Sequence, residues 1–253
     1  ISRTKPDRII LIDYPGFNLR LAKRIQHLKI PITYFILPQV WAWKEKRVET
    51  MKAVLDQTLS IFPFEQDWFD SRGLQTNYVG HPFAEQEHLD ESSKDFYQRH
   101  DITIEHPLLV LLPGSRQQEV DRHWPIFLQT VKKLKEANSL IQVMVGKAPN
   151  VSLSPMPNEF KIEENARKAM VAGTVAIVSS GTATLECAVE DTAMVVCYKL
   201  STISWWMVNN MTSVKYASMV NLIADENIVP EFLQHNMTEE NLVKSVIPLL
   251  NSK

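Results

Sequence analysis

The stretch LLVLLPGSR, residues 108–116, decides how this chain folds. Its apolar run, residues 108–112, is typical of a strand that is buried on both faces, and the Pro-Gly pair after it predicts a tight turn. Apolar residues then follow at helical spacing, at positions 120, 124, 127, 128, 131 and 134. A buried strand, a tight turn and an amphipathic helix predict a unit of a parallel α/β sheet.

The same alternation extends outward in both directions. Further apolar runs predict strands at residues 9–12, 32–37, 58–62, 76–79, 141–145, 174–178 and 194–198. Helix-period segments at residues 19–28 and 47–55 separate the first of them, whereas the polar stretch 85–93 breaks the pattern. We therefore predict an α/β protein of two doubly wound, Rossmann-type domains, residues 1–90 and 91–253.

Composition excludes several classes of protein. The 253 residues carry 27 Lys and Arg against 29 Asp and Glu, so the formal net charge of −2 gives no basic footprint for nucleic acid. The longest apolar runs are far shorter than the roughly 20 residues of a membrane-spanning helix. Two cysteines, Cys187 and Cys197, indicate buried thiols in a reducing compartment, not a disulfide framework.

Two strand-to-helix turns in the second half are candidate anion sites. The stretch SSGTATLE, residues 179–186, follows a predicted strand and opens a helix, where free amides and the helix dipole favour negative charge. An ordinary Ser or Thr helix cap is the alternative. The turn at residues 113–116 adds Arg116, whose planar fork suits phosphate. Two anion sites in one domain favour a nucleotide diphosphate, although the P-loop, G-x-G-x-x-G and G-x-S-x-G patterns are absent.

The first half contains fewer candidate catalytic or binding residues. Asp13 directly follows the strand at residues 9–12, so it is a candidate general base, or else a helix cap. Asn18 is a candidate cap for the next helix. Trp41 and Trp43 follow another strand and either pack in the core or line a site for a sugar or an acyl chain. His81 is either a structural loop residue or a catalyst between the two halves.

Taken together, these motifs resemble one family, the bacterial lipid-A-disaccharide synthases, which are glycosyltransferases of the two-domain GT-B architecture. The matching stretches are IDYPGFN (12–18), PQVWAW (38–43), FPFE (62–65), VGHP (79–82), LLPGSR (111–116) with Glu119, SGTATLE (180–186), MVV (194–196) with Tyr198 and Lys199, Asn221 with Leu222, and VPE (229–231) with Gln234.

The resemblance implies a reaction and its residues. A 2,3-diacylglucosamine unit moves from UDP-2,3-diacylglucosamine to 2,3-diacylglucosamine 1-phosphate, giving a β-1,6 disaccharide phosphate and UDP, without a metal or another cofactor. Asp13 and His81 are then expected to be catalytic, and Asn18, Trp41 and Trp43 to bind the acceptor. The expected UDP-sugar ligands are Arg116, Ser180, Gly181, Thr182, Glu186, Asn221 and Gln234.

The resemblance also implies a location. A cytosolic UDP donor and a diacylated acceptor predict a cytoplasmic protein that is peripheral on the cytoplasmic face of the inner membrane, with a homodimer as one expected assembly. Lys23, Arg24, Trp41 and Trp43 are the candidate membrane contacts, and residues 205–208 form either a buried helix or a membrane patch.

Departures from the family leave other interpretations open. The family's opening Gly-Glu-x-Ser-Gly-Asp motif does not occur before Asp13, and the chain stops at Lys253, before the family's returning terminal helices. We therefore expect an incomplete N-terminal domain and no catalysis by the chain as written. The alternatives are a truncated or degenerate paralogue that binds UDP without catalysis, and another GT-B enzyme acting on UDP-sugars, such as an epimerase.

Overall fold

The computed structural model describes residues 3–85, 91–201, 205 and 215–251. These residues form two units, residues 3–85 and the described residues from 91 onward. Each unit is built on its own sheet, and every strand pair in both sheets is parallel. The predicted α/β class is therefore confirmed.

The first unit is a four-stranded sheet in the order β1-β2-β3-β4. Its helices and strands are β1 (Ile9–Ile12), α1 (Pro15–Ile25), a 3-10 turn (Gln26–Leu28), β2 (Ile32–Phe35), α2 (Arg47–Val54), β3 (Gln57–Ser60), α3 (Pro63–Asp70), β4 (Asn77–Tyr78) and a 3-10 turn (Pro82–Glu85). Leu19 and Ala22 of α1 and Met51 of α2 pack with Tyr34 of β2 in one core. The two helices thus begin beside the carboxyl ends of β1 and β2.

The second unit is a six-stranded sheet in the order β10-β9-β8-β5-β6-β7. Its helices and strands are α4 (Ser93–Arg99), β5 (Leu108–Leu112), α5 (Gln117–Ala137), β6 (Gln142–Gly146), β7 (Lys161–Glu163), α6 (Ala166–Ala172), β8 (Val175–Ser179), α7 (Thr182–Val189), β9 (Met194–Tyr198), α8 (Met219–Ala224), β10 (Glu231–Leu233), a 3-10 turn (Gln234–Asn236) and α9 (Glu239–Asn251).

Strand β5 is the centre of the second unit. Every residue of it is buried, and alternate side chains enter two different cores. Leu109 and Leu111 pack with Phe127 of α5, whereas Leu108 and Val110 pack with Met170 of α6. Because helices cover both faces, the strand has no polar side, which is why it is a continuous apolar run in the sequence.

Several predicted boundaries differ from the structure. Helix α1 begins at Pro15, not at residue 19, because proline is well tolerated in the first turn of a helix. The short strands β7 and β10 were not predicted, since three residues give too little periodicity. Both cysteines are buried free thiols, as predicted. None of the described helices has a stretch long and apolar enough to cross a membrane.

Two glycines of the fold give a matched pair for testing packing. A Cβ at Gly173 would lie 2.5 Å from Val110 Cγ2, whereas a Cβ at Gly16 would meet nothing within 4 Å. Gly173→Ala is therefore expected to destabilise the protein by about 1–3 kcal/mol through overpacking. Gly16→Ala, inside α1, should stabilise it by about 0.4–1 kcal/mol. Urea denaturation compares the two variants, and equal shifts would contradict this account of the packing.

Candidate functional site

A pocket of about 340 Å³ lies at the carboxyl ends of the central strands of the second unit. Strand β5 comes first in the chain among its neighbours but lies between β8 and β6, so the strand order reverses there. Ligands of open α/β sheets bind in the crevice at such a reversal. The loops after β5, β6 and β8 supply the lining, including Gly114, Lys147 and Gly181.

The loop after β8 presents the amino terminus of α7 to this pocket. Gly181, the residue before the helix, has φ 151°, and a Cβ there would meet no atom within 4 Å. The amides of Thr182 and Ala183 begin the helix and have no intrahelical acceptor. Gly181, Thr182 and Ala183 all line the pocket, so free amides and the helix dipole favour an anion there.

An unpartnered hydroxyl lies beside these amides. Ser179 ends β8, lines the pocket and is 6% exposed, yet its Oγ has no hydrogen-bond partner among the described residues. A buried polar atom without a partner is costly, so this one is a ready ligand group. In contrast, Ser180, which also lines the pocket, donates its Oγ hydrogen to Ala217 O at 2.7 Å, a contact that joins the loop after β8 to the segment before α8.

The loop after β5 forms the facing side of the pocket. Gly114 has φ 125°, and a Cβ there would lie 2.8 Å from Glu119 Oε2, so glycine is required. Arg116 immediately precedes α5, and its Nη1 lies 3.0 Å from Glu119 Oε1. The Arg116 side chain is 78% exposed and does not line the pocket itself.

Four charged residues line the pocket, two from loops and two from the helices α5 and α7. Lys147, directly after β6, contributes a cation that the sequence analysis missed, although its position after an apolar strand was a usable signal. Glu186, one turn into α7, is half-buried, and burial raises the pKa of its carboxyl. Glu164 and Glu119 complete the charged lining. No group of three metal-ligating side chains occurs in the part of the chain that the structure describes.

The fully buried His123 joins two loops at the carboxyl edge of the sheet. Its Nε2 accepts a hydrogen bond from Lys199 N at 3.0 Å, so its Nδ1 carries the proton and donates to Pro113 O at 2.8 Å. Burial lowers the pKa of His123. The neutral ring therefore fixes the turn after β5 relative to the end of β9, a role that a single histidine inside a helix pattern did not reveal.

Asn221 and Gln234 do not line the pocket. Asn221 is 0% exposed, with its Nδ2 donating to Val229 O and Glu231 Oε1, both at 2.8 Å, and its Oδ1 accepting from Val229 N. In this structure the fully buried Asn221 side chain therefore holds the segment that leads into β10, and direct contact of Asn221 with a nucleotide stays a prediction. The side-chain amide of Gln234 lies 3.3 Å from both the N and the O of Leu200.

In the first unit, Asp13 is held in a strained backbone conformation. Asp13 and Tyr14 have φ values of 45° and 43°, in the left-handed region that favours glycine. The carbonyl of Asp13 accepts hydrogen bonds from Asn18 Nδ2 at 2.7 Å and Tyr34 Oη at 2.5 Å. Asn18 was predicted to cap the helix, but it lies inside α1 and its buried side chain instead fixes the turn that presents the exposed Asp13 carboxylate.

The remaining candidates of this unit lie in the segments that follow β2 and β4. Trp41 Nε1 donates to the buried carboxylate of Glu65 at 3.0 Å, whereas Trp43 is 45% exposed. His81 Nδ1 accepts from Phe83 N at 3.2 Å, and burial lowers the pKa of its ring. His81 follows β4 and Asp13 follows β1, so their strands are three spacings, about 14 Å, apart and the two side chains do not form a contacting pair.

Comparison with known sequences finds one family. A family model described as lipid-A-disaccharide synthetase matches residues 1–253. The lipid-A-disaccharide synthase of Myxococcus xanthus is 37% identical over 253 residues, which are 97% of this chain and 66% of that protein. That of Solibacter usitatus is 35% identical over 254 residues, with the same coverage. The chain thus spans about two thirds, 66%, of the length of these curated relatives.

Comparison with solved structures supports the fold alone. A putative UDP-N-acetylglucosamine 2-epimerase from Listeria monocytogenes matches with a TM-score of 0.63 at 10% identity, covering 100% of this chain and 67% of that one. The ADP-heptose heptosyltransferase II of E. coli matches with a TM-score of 0.53 at 11% identity, covering 98% and 77%. These neighbours confirm the predicted GT-B-like fold class.

The buried His123 predicts a pH dependence of stability. Because its pKa is lowered in the folded protein, the unfolded chain binds a proton first as the pH falls below about 6.5. Its contribution to the free energy of unfolding is thus complete above this pH and declines below it. His123→Gln should be less stable than the wild type at pH 7.5. Between pH 7.5 and pH 5.5, roughly the range over which histidine titrates, the variant should lose less stability than the wild type.

Urea denaturation at the two pH values makes the measurement, and His27→Gln is the matched control because His27 is exposed. The control should keep the wild-type dependence. An unchanged dependence in His123→Gln would contradict the assignment.

Proposed function

Since this chain belongs to the lipid-A-disaccharide synthetase family, we propose that it is a glycosyltransferase that moves 2,3-diacylglucosamine from its UDP carrier to 2,3-diacylglucosamine 1-phosphate. The products are a β-1,6 disaccharide 1-phosphate and UDP. The family relationship and the pocket at the strand reversal of the second unit support this proposal.

One observation carries the donor half of the proposal. Helices α5 and α7 both begin beside the same pocket, whose lining also includes the cation Lys147 and the unpartnered hydroxyl of Ser179. A nucleotide diphosphate carries negative charge that such a site stabilises. In the proposed complex, the amides of Gly181 and Thr182 and the two cations Lys147 and Arg116 bind the diphosphate. The carboxylate of Glu186 accepts hydrogen bonds from the ribose.

Asp13 supplies the proposed base of the reaction. Its carboxylate takes the proton of the acceptor hydroxyl while the hydroxyl oxygen forms a bond to the anomeric carbon of the donor. The bond between that carbon and the UDP oxygen breaks, and UDP leaves with the electron pair. The positive ends of α5 and α7, with Lys147, stabilise the charge that develops on the departing diphosphate. No described group within hydrogen-bonding distance engages the Asp13 carboxylate, which keeps it available for this transfer.

The acceptor and membrane contacts are proposed for the first unit. Trp43 is exposed on the loop before α2, and Lys23 and Arg24 are exposed on α1. Aromatic and basic side chains favour the interface of an anionic bilayer, which supports a peripheral position on the cytoplasmic face of the inner membrane. Of the proposed membrane patch at residues 205–208, residues 206–208 lie outside the described part of the chain. A homodimer remains part of the proposal.

Binding of UDP to the whole chain tests the donor site. Lys147→Gln and Arg116→Ala should each weaken UDP binding by about 1.5–3 kcal/mol, because each removes a charge-assisted hydrogen bond to the diphosphate. Isothermal titration calorimetry measures the affinity. Lys135→Gln is the matched control, because Lys135 lies at the end of α5 that is far from the pocket and forms an ion pair with Glu159. Unchanged UDP affinity in both site variants, or an equal loss in the control, would refute the donor site.

Turnover tests the role of Asp13 in a protein that spans the full length of the curated relatives. Asp13→Asn should reduce turnover about 100-fold or more, the scale of general-base catalysis, and leave UDP affinity unchanged. Asp7→Asn changes an exposed aspartate of the same unit and should keep wild-type turnover. The assignment fails if Asp13→Asn turns over at close to the wild-type rate.

A further inference from the structure

A second depression lies on the first unit, between α1 and the start of α2. It has a volume of about 340 Å³, and its lining includes Gly16, Arg20, Lys23, Arg47 and Thr50. We call it the α1–α2 basin and define it by its three cations, Arg20, Lys23 and Arg47. No acidic residue is among its lining residues.

The cations of the basin are not neutralised within the described part of the chain. No described carboxylate lies within 4.0 Å of Arg20, Lys23 or Arg47, whereas the neighbouring cations Lys52 and Arg72 are paired with Glu49 and Glu45. Three like charges around one concavity repel each other unless an anion offsets them. Their arrangement thus favours a ligand that carries at least two negative charges.

The geometry of the two helices concentrates this positive charge. Residues 16, 20 and 23 lie on one face of α1 because they are spaced by three and four positions. Arg47 is the first residue of α2, so its guanidinium is close to the positive end of that helix dipole. A planar guanidinium at such a position suits bidentate hydrogen bonds to phosphate.

The basin also adjoins Asp13. Helix α1 begins two residues after Asp13, and the hydroxyl of Tyr34 donates to the Asp13 carbonyl. The pKa of Tyr34 is raised to about 12, chiefly by burial and then by the charge of Asp13, while the charge of Arg47 acts in the opposite direction. The charges of Asp13 and Arg47 therefore act on the same buried hydroxyl.

We infer that the α1–α2 basin is a binding site for a phosphomonoester. This inference rests on the proposed function only for the source of the phosphate, which is then the 1-phosphate of the acceptor sugar. Bound there, the phosphate anchors the acceptor on the same strand end that carries Asp13. Tyr14 and Phe17, which are 70% and 52% exposed, lie at the turn that leads from Asp13 into α1.

The test uses the whole chain and two probes of the same chemistry. Glucose 1-phosphate, compared with glucose, is titrated by calorimetry. Phosphatidylcholine vesicles with and without phosphatidic acid are tested by sedimentation. Arg20→Gln, Lys23→Gln and Arg47→Gln should each weaken binding of glucose 1-phosphate about tenfold or more, while Arg47→Lys retains part of the affinity. Lys52→Gln removes the same charge from the opposite face of α2 and should have no effect.

The two arms identify the source of the phosphate. Loss of glucose 1-phosphate binding in the basin variants supports the acceptor as the source. If only the binding of phosphatidic acid vesicles depends on the three cations, the basin binds a lipid headgroup and the inference stands for that source. It is overturned if neither probe responds to the variants, or if Lys52→Gln weakens binding equally.

UDP affinity is measured for every variant as the check on folding and on the proposed function. Intact UDP binding with no basin-dependent phosphate binding refutes the basin alone. If Lys147→Gln and Arg116→Ala leave UDP affinity unchanged while phosphate binding still depends on the basin cations, the proposed function is refuted and the inference about the basin holds.

Discussion

The hydrogen-bonding of β5 on both of its edges is the constraint on which the second unit depends. Leu109 and Leu111 pair with β6 on one side and with β8 on the other, so the strand cannot shift without breaking two ladders. Because all these strands are parallel, their carboxyl ends meet at one edge. The turns after β5 and β8 therefore face each other there, and each begins a helix whose first amides are unpaired.

The two units handle negative charge in different ways. In the second unit the pocket offers backbone amides at strand ends and a buried hydroxyl, together with one lysine, and the His123 contacts fix the turn after β5. In the first unit the α1–α2 basin relies on flexible cationic side chains. A fixed set of amides discriminates ligands by shape, whereas mobile guanidinium and ammonium groups adapt to the position of a phosphate. This difference is consistent with a donor held rigidly and an acceptor held by its charge.

The fold was predictable because buried parallel strands are apolar runs in the sequence. The two candidate anion-binding turns, after β5 and β8, follow such runs directly. Contacts made far along the chain were not predictable. The partners of His123 are 10 and 76 residues away, and no local pattern distinguishes its ring from any other polar group in a helix. Asn221 matched a family motif, but its Nδ2 donates to Asn227, Val229 and Glu231 further along the chain. The motif names the residue but does not reveal these contacts.

The left-handed pair Asp13 and Tyr14 has a consequence for protein engineering. Glycine adopts such φ values without steric cost, so a library selected only for heat resistance should enrich glycine at both positions. At position 13 that exchange deletes the carboxylate, and at position 14 it frees the turn that aims it. With Asp13 as the proposed base, thermostable variants of this kind would be poor catalysts, and both properties would trace to two consecutive residues.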